Sequence, residues 1–290
     1  MNGFSGIWVA LATPFQQGEI DFAALGSLAA RLYKDGAAGL VVCGSTGEAS
    51  ALSNSEQLAV LDAVLVAVPQ CPVVMGIGGS NQQALVERLR EIQARPVAGV
   101  LVPPPYYIRP SQEGIVAFFM ALAQAATVPL ILYNIPYRTG VAMSLATIRA
   151  IAEHPRIAAI KDCGGDPALT LQLITDRRLA VLAGEDGQIF STLCLGGAGA
   201  IAAAAHIRTD LFVRMARAIA ESRLDEARRL MFALSPLFAT LFAEPNPGPL
   251  KAALEMMNLC SGDVRAPMQP ASAALKREIA QVLDRLNAFS

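Results

Sequence analysis

Short apolar runs recur along the chain, separated by longer segments with helical spacing. The runs are rich in Val, Ile, Leu and Ala, and continuous hydrophobicity of this kind is typical of strands buried on both faces of a parallel sheet. They cover residues 7–12, 39–43, 73–77, 99–102, 129–133, 157–161, 179–183 and 199–203. The segments between them predict helices, several entered through Asp, Ser or Asn as N-caps, at roughly 21–35, 55–68, 82–94, 111–126, 144–153, 167–176, 186–195 and 208–221.

Eight strand and helix units predict an α/β fold, the closed (β/α)8 or TIM barrel. An open doubly wound sheet is the competitor, but the glycine cluster at 76–79 does not fit the G-x-G-x-x-G spacing of a dinucleotide turn. Strand signals stop after residue 222, and helical patterns remain at 224–242, 249–258 and 271–288. We therefore predict a catalytic barrel over 1–222 and a C-terminal three-helix appendage over 223–290.

Composition narrows the class of protein. A chain of 290 residues with 53% hydrophobic composition can bury a large core, and a net charge of -1 disfavours nucleic acid or an anionic membrane as the main partner. No apolar run approaches the ~20 residues of a membrane helix, and the N-terminus lacks the pattern of a signal peptide. These observations predict a cytoplasmic protein.

Cysteine and histidine usage disfavours disulfides and metal sites. The five cysteines form no C-x-x-C pair, and two histidines cannot furnish a multi-histidine site. Cys163 lies two residues from Lys161 and is either a reactive thiol or, as we prefer, a small buried core residue.

Lys161 is the first candidate for chemistry because it closes the apolar run at 157–161. A buried lysine is costly unless the site neutralises it, pairs it or uses it as an amine. The alternative is a lysine whose ammonium reaches solvent from the end of the strand. In a barrel the reactive groups lie at the carboxyl ends of strands, so the residues that share this face decide between the two.

Other strand ends carry suitable partners. The second strand is followed by a loop over 44–48 in which Ser45 and Thr46 offer hydroxyl and backbone N–H groups to an anion, although an ordinary turn has the same composition. Four of the five tyrosines follow the fourth and fifth strands, at positions 106, 107, 133 and 137. Phenols at strand ends are suited to proton transfer. Neighbouring strands lie about 4.8 Å apart, which places Tyr133 within reach of Lys161. Arg138 adds a guanidinium suited to a two-point grip on a carboxylate.

These residues resemble the dihydrodipicolinate synthase family (4-hydroxy-tetrahydrodipicolinate synthases), within the pyruvate-dependent class I aldolases that include N-acetylneuraminate lyase. The similarity runs nearly from end to end. It is carried by Ala12-Thr13-Pro14-Phe15, the Gly-Ser-Thr-Gly-Glu loop at 44–48, the Pro-Tyr-Tyr and Tyr-Asn-Ile-Pro segments, the Lys161 strand, Gly184-Glu185-Asp186, and residues 244–251, Glu-Pro-Asn-Pro-Gly-Pro-Leu-Lys.

The resemblance implies a lyase that condenses pyruvate with L-aspartate 4-semialdehyde in lysine and diaminopimelate biosynthesis. Lys161 would form the Schiff base with pyruvate, and Tyr133 would donate and accept protons. Ser45 and Tyr107 would complete a proton relay, with Tyr107 contributed by a neighbouring subunit of a homotetramer built from two dimers. No metal and no cofactor beyond the covalent imine is implied.

The resemblance also implies the substrate contacts. Thr46 would bind the pyruvate carboxylate, Ile201 would contact the same ligand through its backbone, and Arg138 would hold the carboxylate of aspartate semialdehyde.

Several positions depart from the family pattern. Ser45 stands where threonine is usual, Asp162 replaces a glutamate, and Tyr137 occupies a position where small residues are common. At the positions that match the lysine-feedback site of enterobacterial-type members, this chain carries Asn54, Gln57 and Leu85. Leu85 offers no carboxylate to an effector ammonium, so inhibition by lysine is predicted to be weak or absent.

Two other functions compete with this one. An aldolase or lyase for a sugar-derived 2-keto acid, of the N-acetylneuraminate or 2-keto-3-deoxygluconate type, would use the same lysine chemistry. Arg138 disfavours it, because sugar-acid lyases of this group generally lack an arginine there. A non-catalytic barrel that binds a keto acid is the third reading, since a fold alone does not establish activity.

Overall fold

The computed structural model describes residues 3–289 and confirms the predicted barrel. Eight parallel strands close in the order β1-β10-β9-β8-β7-β6-β5-β4, and β2 and β3 form a separate antiparallel pair. Nearly every residue of the eight is buried, as the continuous apolar runs require. The strands are β1 Gly6–Ala10, β2 Phe15–Gln16, β3 Glu19–Ile20, β4 Gly39–Val42, β5 Val73–Gly76, β6 Gly99–Val102, β7 Leu130–Asn134, β8 Ile157–Asp162, β9 Ala180–Ala183 and β10 Gly199–Ala202.

Helices follow the barrel strands close to the predicted bounds. Asp, Ser and Asn side chains cap the first turns of several helices as expected, and Ser53 forms a reciprocal capping box with Glu56. The helices are α1 Phe22–Lys34, α2 Asn54–Ala67, α3 Gln82–Ile92, α4 Gln112–Ala125, α5 Pro136–Thr139, α6 Leu145–Ala152, α7 Pro167–Asp176, α8 Ile189–Cys194, α9 Thr209–Ala220, α10 Leu224–Leu241, α11 Gly248–Met256 and α12 Ala273–Asn287.

Two short features escape the sequence pattern. The β2–β3 hairpin has two residues in each strand, too few to show an alternation of apolar and polar side chains. Helix α5 is four residues long and begins with Pro136 at its first position, where the fixed φ of proline suits a helix start. Tyr137 and Arg138 therefore lie on a helical turn rather than on an irregular loop.

The chain divides into two compact units. The middle unit consists of Val73–Ile201 with the N-terminal residues up to Ser5, and it contains β5–β9 and Lys161. The flanking unit consists of Gly6–Pro72 with the chain from Ala202 onward; in it β1 pairs with β4, and α12 packs on α10 and α11. The proposed boundary at residue 222 stays a prediction. Within residues 3–289, no helix combines the length and apolar character that crossing a bilayer requires.

Candidate active site

The register of β7 and β8 brings Tyr133 and Lys161 together in the middle unit. The two residues are Cα partners in the parallel ladder, so their side chains leave the sheet on the same face. Lys161 Nζ lies 3.3 Å from Tyr133 Oη and 4.4 Å from the centroid of its ring. The proximity expected from strand spacing is confirmed, and a phenol oxygen lies where it can exchange a proton with the amine.

Lys161 is buried without a carboxylate partner. Its exposed fraction is 6%, and within residues 3–289 no Asp or Glu forms an ion pair with it. The other buried lysine, Lys251, has an exposed fraction of 0%, and its Nζ lies 2.5 Å from Glu48 Oε1. Lys161 therefore differs from Lys251, which is held in a structural ion pair.

A hydrogen-bond network fixes the ends of both strands just beyond the reactive pair. Asn134 Nδ2 donates to Asp162 Oδ1 at 3.0 Å. The same carboxylate accepts from Gly164 N at 3.0 Å and from Thr170 Oγ1 at 2.7 Å. The Asp162 carboxylate therefore binds the backbone turn at Gly164 and the Thr170 hydroxyl on α7. These hydrogen bonds make the end of β8, next to Lys161, more rigid.

The Cys163 thiol is a core residue, as preferred from the sequence. Its exposed fraction is 3%, and burial raises its pKa well above the ordinary value for cysteine. Because the thiolate is the reactive form, burial disfavours a nucleophilic role for this sulfur.

Apart from Ile201, the other candidates of the middle unit are more exposed than Lys161. Arg138 is exposed on α5, with its guanidinium carbon 5.8 Å from the Tyr137 ring centroid, and it has no ion-pair partner in the described part of the chain. Tyr137 Oη donates to Glu185 Oε1 at 2.9 Å. Tyr107 is 91% exposed and adopts a left-handed backbone conformation, φ +73°. Ile201 is buried on β10.

The Ser45–Thr46 loop belongs to the flanking unit. Ser45 is exposed, whereas Thr46 is buried, and Thr46 Oγ1 accepts a hydrogen bond from Asn246 Nδ2 at 3.0 Å. Thr13 Oγ1 donates to the carbonyl of Gly47 at 2.8 Å. The loop is thus held by Thr13 and Asn246, which belong to the segments 12–15 and 244–251 named above.

Comparison with known proteins decides the family. Residues 3–286 match the model of the dihydrodipicolinate synthetase family. The chain belongs to this family. It is accordingly a lyase of the class I aldolase type.

Relatives align over nearly the whole length of this family member. It is 39% identical to the 4-hydroxy-tetrahydrodipicolinate synthase of Synechococcus sp. (strain WH7803), covering 98% of this chain and 95% of the relative. It is 36% identical to that of Methanosphaerula palustris, covering 97% and 98%. The structure of the enzyme from Cyanidioschyzon merolae with lysine bound superposes with a TM-score of 0.96 at 32% identity, covering 100% of both chains.

Some residues of this dihydrodipicolinate synthetase family site were not singled out from the sequence. Asn134 and Gly184 lie within quoted motifs but carried no predicted role, and Asn246 is joined to Thr46 across 200 residues of sequence. Gly184 could have been singled out because it directly follows β9. At such a position the backbone passes close to the ends of the adjacent strands, and a residue without a side chain is favoured.

Gly184 is expected to tolerate no side chain. A Cβ there would overlap the Cys163 sulfur and lie 3.0 Å from Lys161 Cε. Gly184→Ala is therefore expected to lower kcat roughly 10- to 100-fold by displacing the lysine. Gly187→Ala is the matched control, because a Cβ at Gly187 meets nothing within 4 Å. Steady-state turnover and Tm of both variants check this, and wild-type turnover in Gly184→Ala would contradict it.

Proposed function

We propose that the chain is a 4-hydroxy-tetrahydrodipicolinate synthase, which condenses pyruvate with L-aspartate 4-semialdehyde in lysine and diaminopimelate biosynthesis. The observation that carries the proposal is a buried lysine amine, Lys161, with a tyrosine hydroxyl at 3.3 Å and no carboxylate partner among residues 3–289. Relatives that bear the synthase name over nearly their full length support the choice of substrates.

The chemistry begins at Lys161 Nζ. The neutral amine adds to the C2 carbonyl of pyruvate, and loss of water gives a protonated imine, which withdraws electrons from the methyl carbon. Removal of a methyl proton then gives an enamine. The enamine carbon attacks the aldehyde carbon, forming the new C–C bond while the aldehyde oxygen takes up a proton. An amine or water displaces the lysine from the imine carbon and regenerates the enzyme.

Proton transfer is assigned to Tyr133, because its hydroxyl contacts the reacting nitrogen. We propose that Ser45 and Tyr107 relay that proton to solvent, Tyr107 acting from a neighbouring subunit. Tyr106, Tyr107 and Ile108 form a run of exposed large apolar side chains, 43, 91 and 56% exposed, and this supports the arrangement because contiguous exposed apolar surface is typical of a contact with another molecule. We propose that this chain forms a homotetramer, a dimer of dimers, and that it is located in the cytoplasm.

Substrate binding is assigned to three groups. Thr46 and the backbone of Ile201 would hold pyruvate. Arg138, which has no internal ion pair in the described chain, would hold the carboxylate of the semialdehyde. No cofactor other than the lysine imine is proposed.

Weak or absent inhibition by lysine stays a prediction. Leu85 is buried, and Gln57 uses its side-chain amide to bind the carbonyls of Ala49 and Leu52 at 2.9 and 3.3 Å. A relative has been solved with lysine bound, but at these positions the present chain offers no anionic group to an effector ammonium.

Substrate comparison tests the proposed function. With pyruvate present, turnover of aspartate semialdehyde is expected to exceed by far any cleavage of N-acetylneuraminate or 2-keto-3-deoxygluconate.

Arg138→Lys is expected to raise KM for the semialdehyde roughly 10- to 100-fold, because an ammonium cannot replace the two parallel hydrogen bonds of a guanidinium. KM for pyruvate should stay near the wild-type value. Arg90→Lys, an exposed helical arginine, is the control, and preferred turnover of a sugar acid would overturn the assignment.

A further inference from the structure

Two contacts join the segment Asn246–Lys251 to the loop that carries Thr46. Asn246 Nδ2 lies 3.0 Å from Thr46 Oγ1, and Lys251 Nζ lies 2.5 Å from Glu48 Oε1. All four residues belong to the flanking unit. The two partners on the loop are two residues apart, so one segment fixes both Thr46 and the end of its loop.

The Glu48–Lys251 pair is a fully enclosed anchor. The side chains are 2% and 0% exposed. Lys251 Nζ also donates to the carbonyl of Asp263 at 2.8 Å and lies 4.0 Å from the Phe15 ring centroid, while Glu48 Oε2 accepts from the backbone N–H of Arg265 at 2.9 Å. Buried ion pairs persist only with such additional partners, and removing one member leaves an uncompensated charge.

The loop needs an anchor because of its backbone. Cys43 and Glu48, which bracket it, both adopt the left-handed conformation with φ +53°. A residue with a Cβ is uncommon in this region and is held there by its surroundings. The ion pair at Glu48 and the hydrogen bond from Thr13 to the Gly47 carbonyl supply that constraint.

The direction of the Asn246 hydrogen bond determines what Thr46 can do. An amide nitrogen only donates, so the Thr46 hydroxyl must accept from it. The hydroxyl proton of Thr46 is then left to donate elsewhere. A hydroxyl with one lone pair engaged and its proton available is oriented to donate to a carboxylate oxygen.

We propose that Asn246 is a positioning residue that orients the Thr46 hydroxyl as a donor to the carboxylate of the 2-oxo acid, on a loop held in place by the Glu48–Lys251 pair. The inference rests on the proposed function, because it assumes that Thr46 meets pyruvate. Asn246 itself contacts Thr46 and acts through it. The prediction is specific to the first substrate and to binding rather than to the chemical steps.

Asn246→Asp tests the proposal with almost no change in shape. The carboxylate only accepts, so Thr46 must donate to it and loses the proton it would offer to pyruvate. The pyruvate concentration that half-saturates borohydride trapping of the imine is expected to rise at least about 10-fold, the range for a lost hydrogen bond to a charged group. The trapping rate at saturating pyruvate and KM for the semialdehyde should change less than about 3-fold. Asn258→Asp, an exposed asparagine, should match the wild type.

Asn246→Ala provides a second test if the aspartate variant does not fold. It leaves the hydroxyl unoriented. The pyruvate concentration that half-saturates trapping is expected to rise 2- to 10-fold, about the effect of one neutral hydrogen bond.

The Glu48–Lys251 pair is tested separately. Lys251→Met should lower Tm and raise the same half-saturating concentration of pyruvate. The double variant Glu48→Gln with Lys251→Met removes both charges and should recover Tm. The proposal is overturned if a folded Asn246 variant is half-saturated at the same pyruvate concentration as the wild type. Absence of any trapped imine in the wild-type enzyme would instead overturn the proposed function.

Discussion

Replacing Lys161 with methionine is expected to reduce pyruvate-dependent turnover by at least about 10³-fold, because the imine forms on this amine and the other buried lysine, Lys251, is paired with Glu48. Methionine is unbranched and apolar, so it can occupy the buried site of the lysine stem at the end of β8. The folded barrel should therefore survive, and kcat rather than Tm should show the loss. Steady-state assay with both substrates, alongside thermal unfolding, checks the expectation.

Lys276→Met is the control for this substitution. Lys276 lies on α12 with its side chain 37% exposed, paired with Glu255 at 3.2 Å, and surface pairs of this kind contribute little to stability. Its removal should leave both turnover and Tm close to those of the wild type. Retention of full turnover by Lys161→Met would show that the reaction does not pass through this lysine.

Replacing Tyr133 with phenylalanine is expected to lower kcat roughly 10²- to 10⁴-fold, the contribution of a positioned proton donor and acceptor. The ring keeps its place on β7 and its face toward the lysine, with Nζ 4.4 Å from the centroid. Only the oxygen 3.3 Å from Lys161 Nζ is lost. Imine formation and methyl-proton exchange should both become slower. Borohydride trapping measures the first rate, and hydrogen–deuterium exchange of bound pyruvate measures the second.

Tyr33→Phe provides the matched comparison. Tyr33 lies on α1, and its hydroxyl has only a 3.5 Å contact with the carbonyl of Gln70 in an exposed setting. The same chemical change there should leave both rates unaltered. A Tyr133→Phe enzyme with wild-type rates in both measurements would assign the proton transfers to another group.

Local hydrophobic pattern was sufficient to predict the barrel. A strand buried on both faces must be apolar at successive positions, and a helix on the outside must repeat every three to four residues, so each element leaves a signal in its own stretch of sequence. The β2–β3 hairpin and α5 left none because they are too short for either pattern to repeat. The C-terminal helices α10–α12 were recognised for the same reason as those of the barrel.

The Tyr133–Lys161 contact could be anticipated because it depends on neighbouring strands. Tyr133 and Lys161 are the penultimate residues of consecutive strands, and a parallel ladder leaves little freedom in how they meet. The contacts of Thr46 with Asn246 and of Glu48 with Lys251 join residues about 200 positions apart. No local pattern specifies such a pairing, since it is fixed only by the way α11 and the loop after β4 pack in the folded chain.

Covalent labelling tests the central claim most directly. The protein is incubated with pyruvate and borohydride, digested, and the added mass is located by peptide mapping. The account predicts a reduced pyruvate adduct on Lys161 alone, which falls when aspartate semialdehyde is added before the borohydride because the enamine is consumed. An adduct on Lys251 or on a surface lysine, or no adduct at all in an enzyme that turns over both substrates, would contradict it.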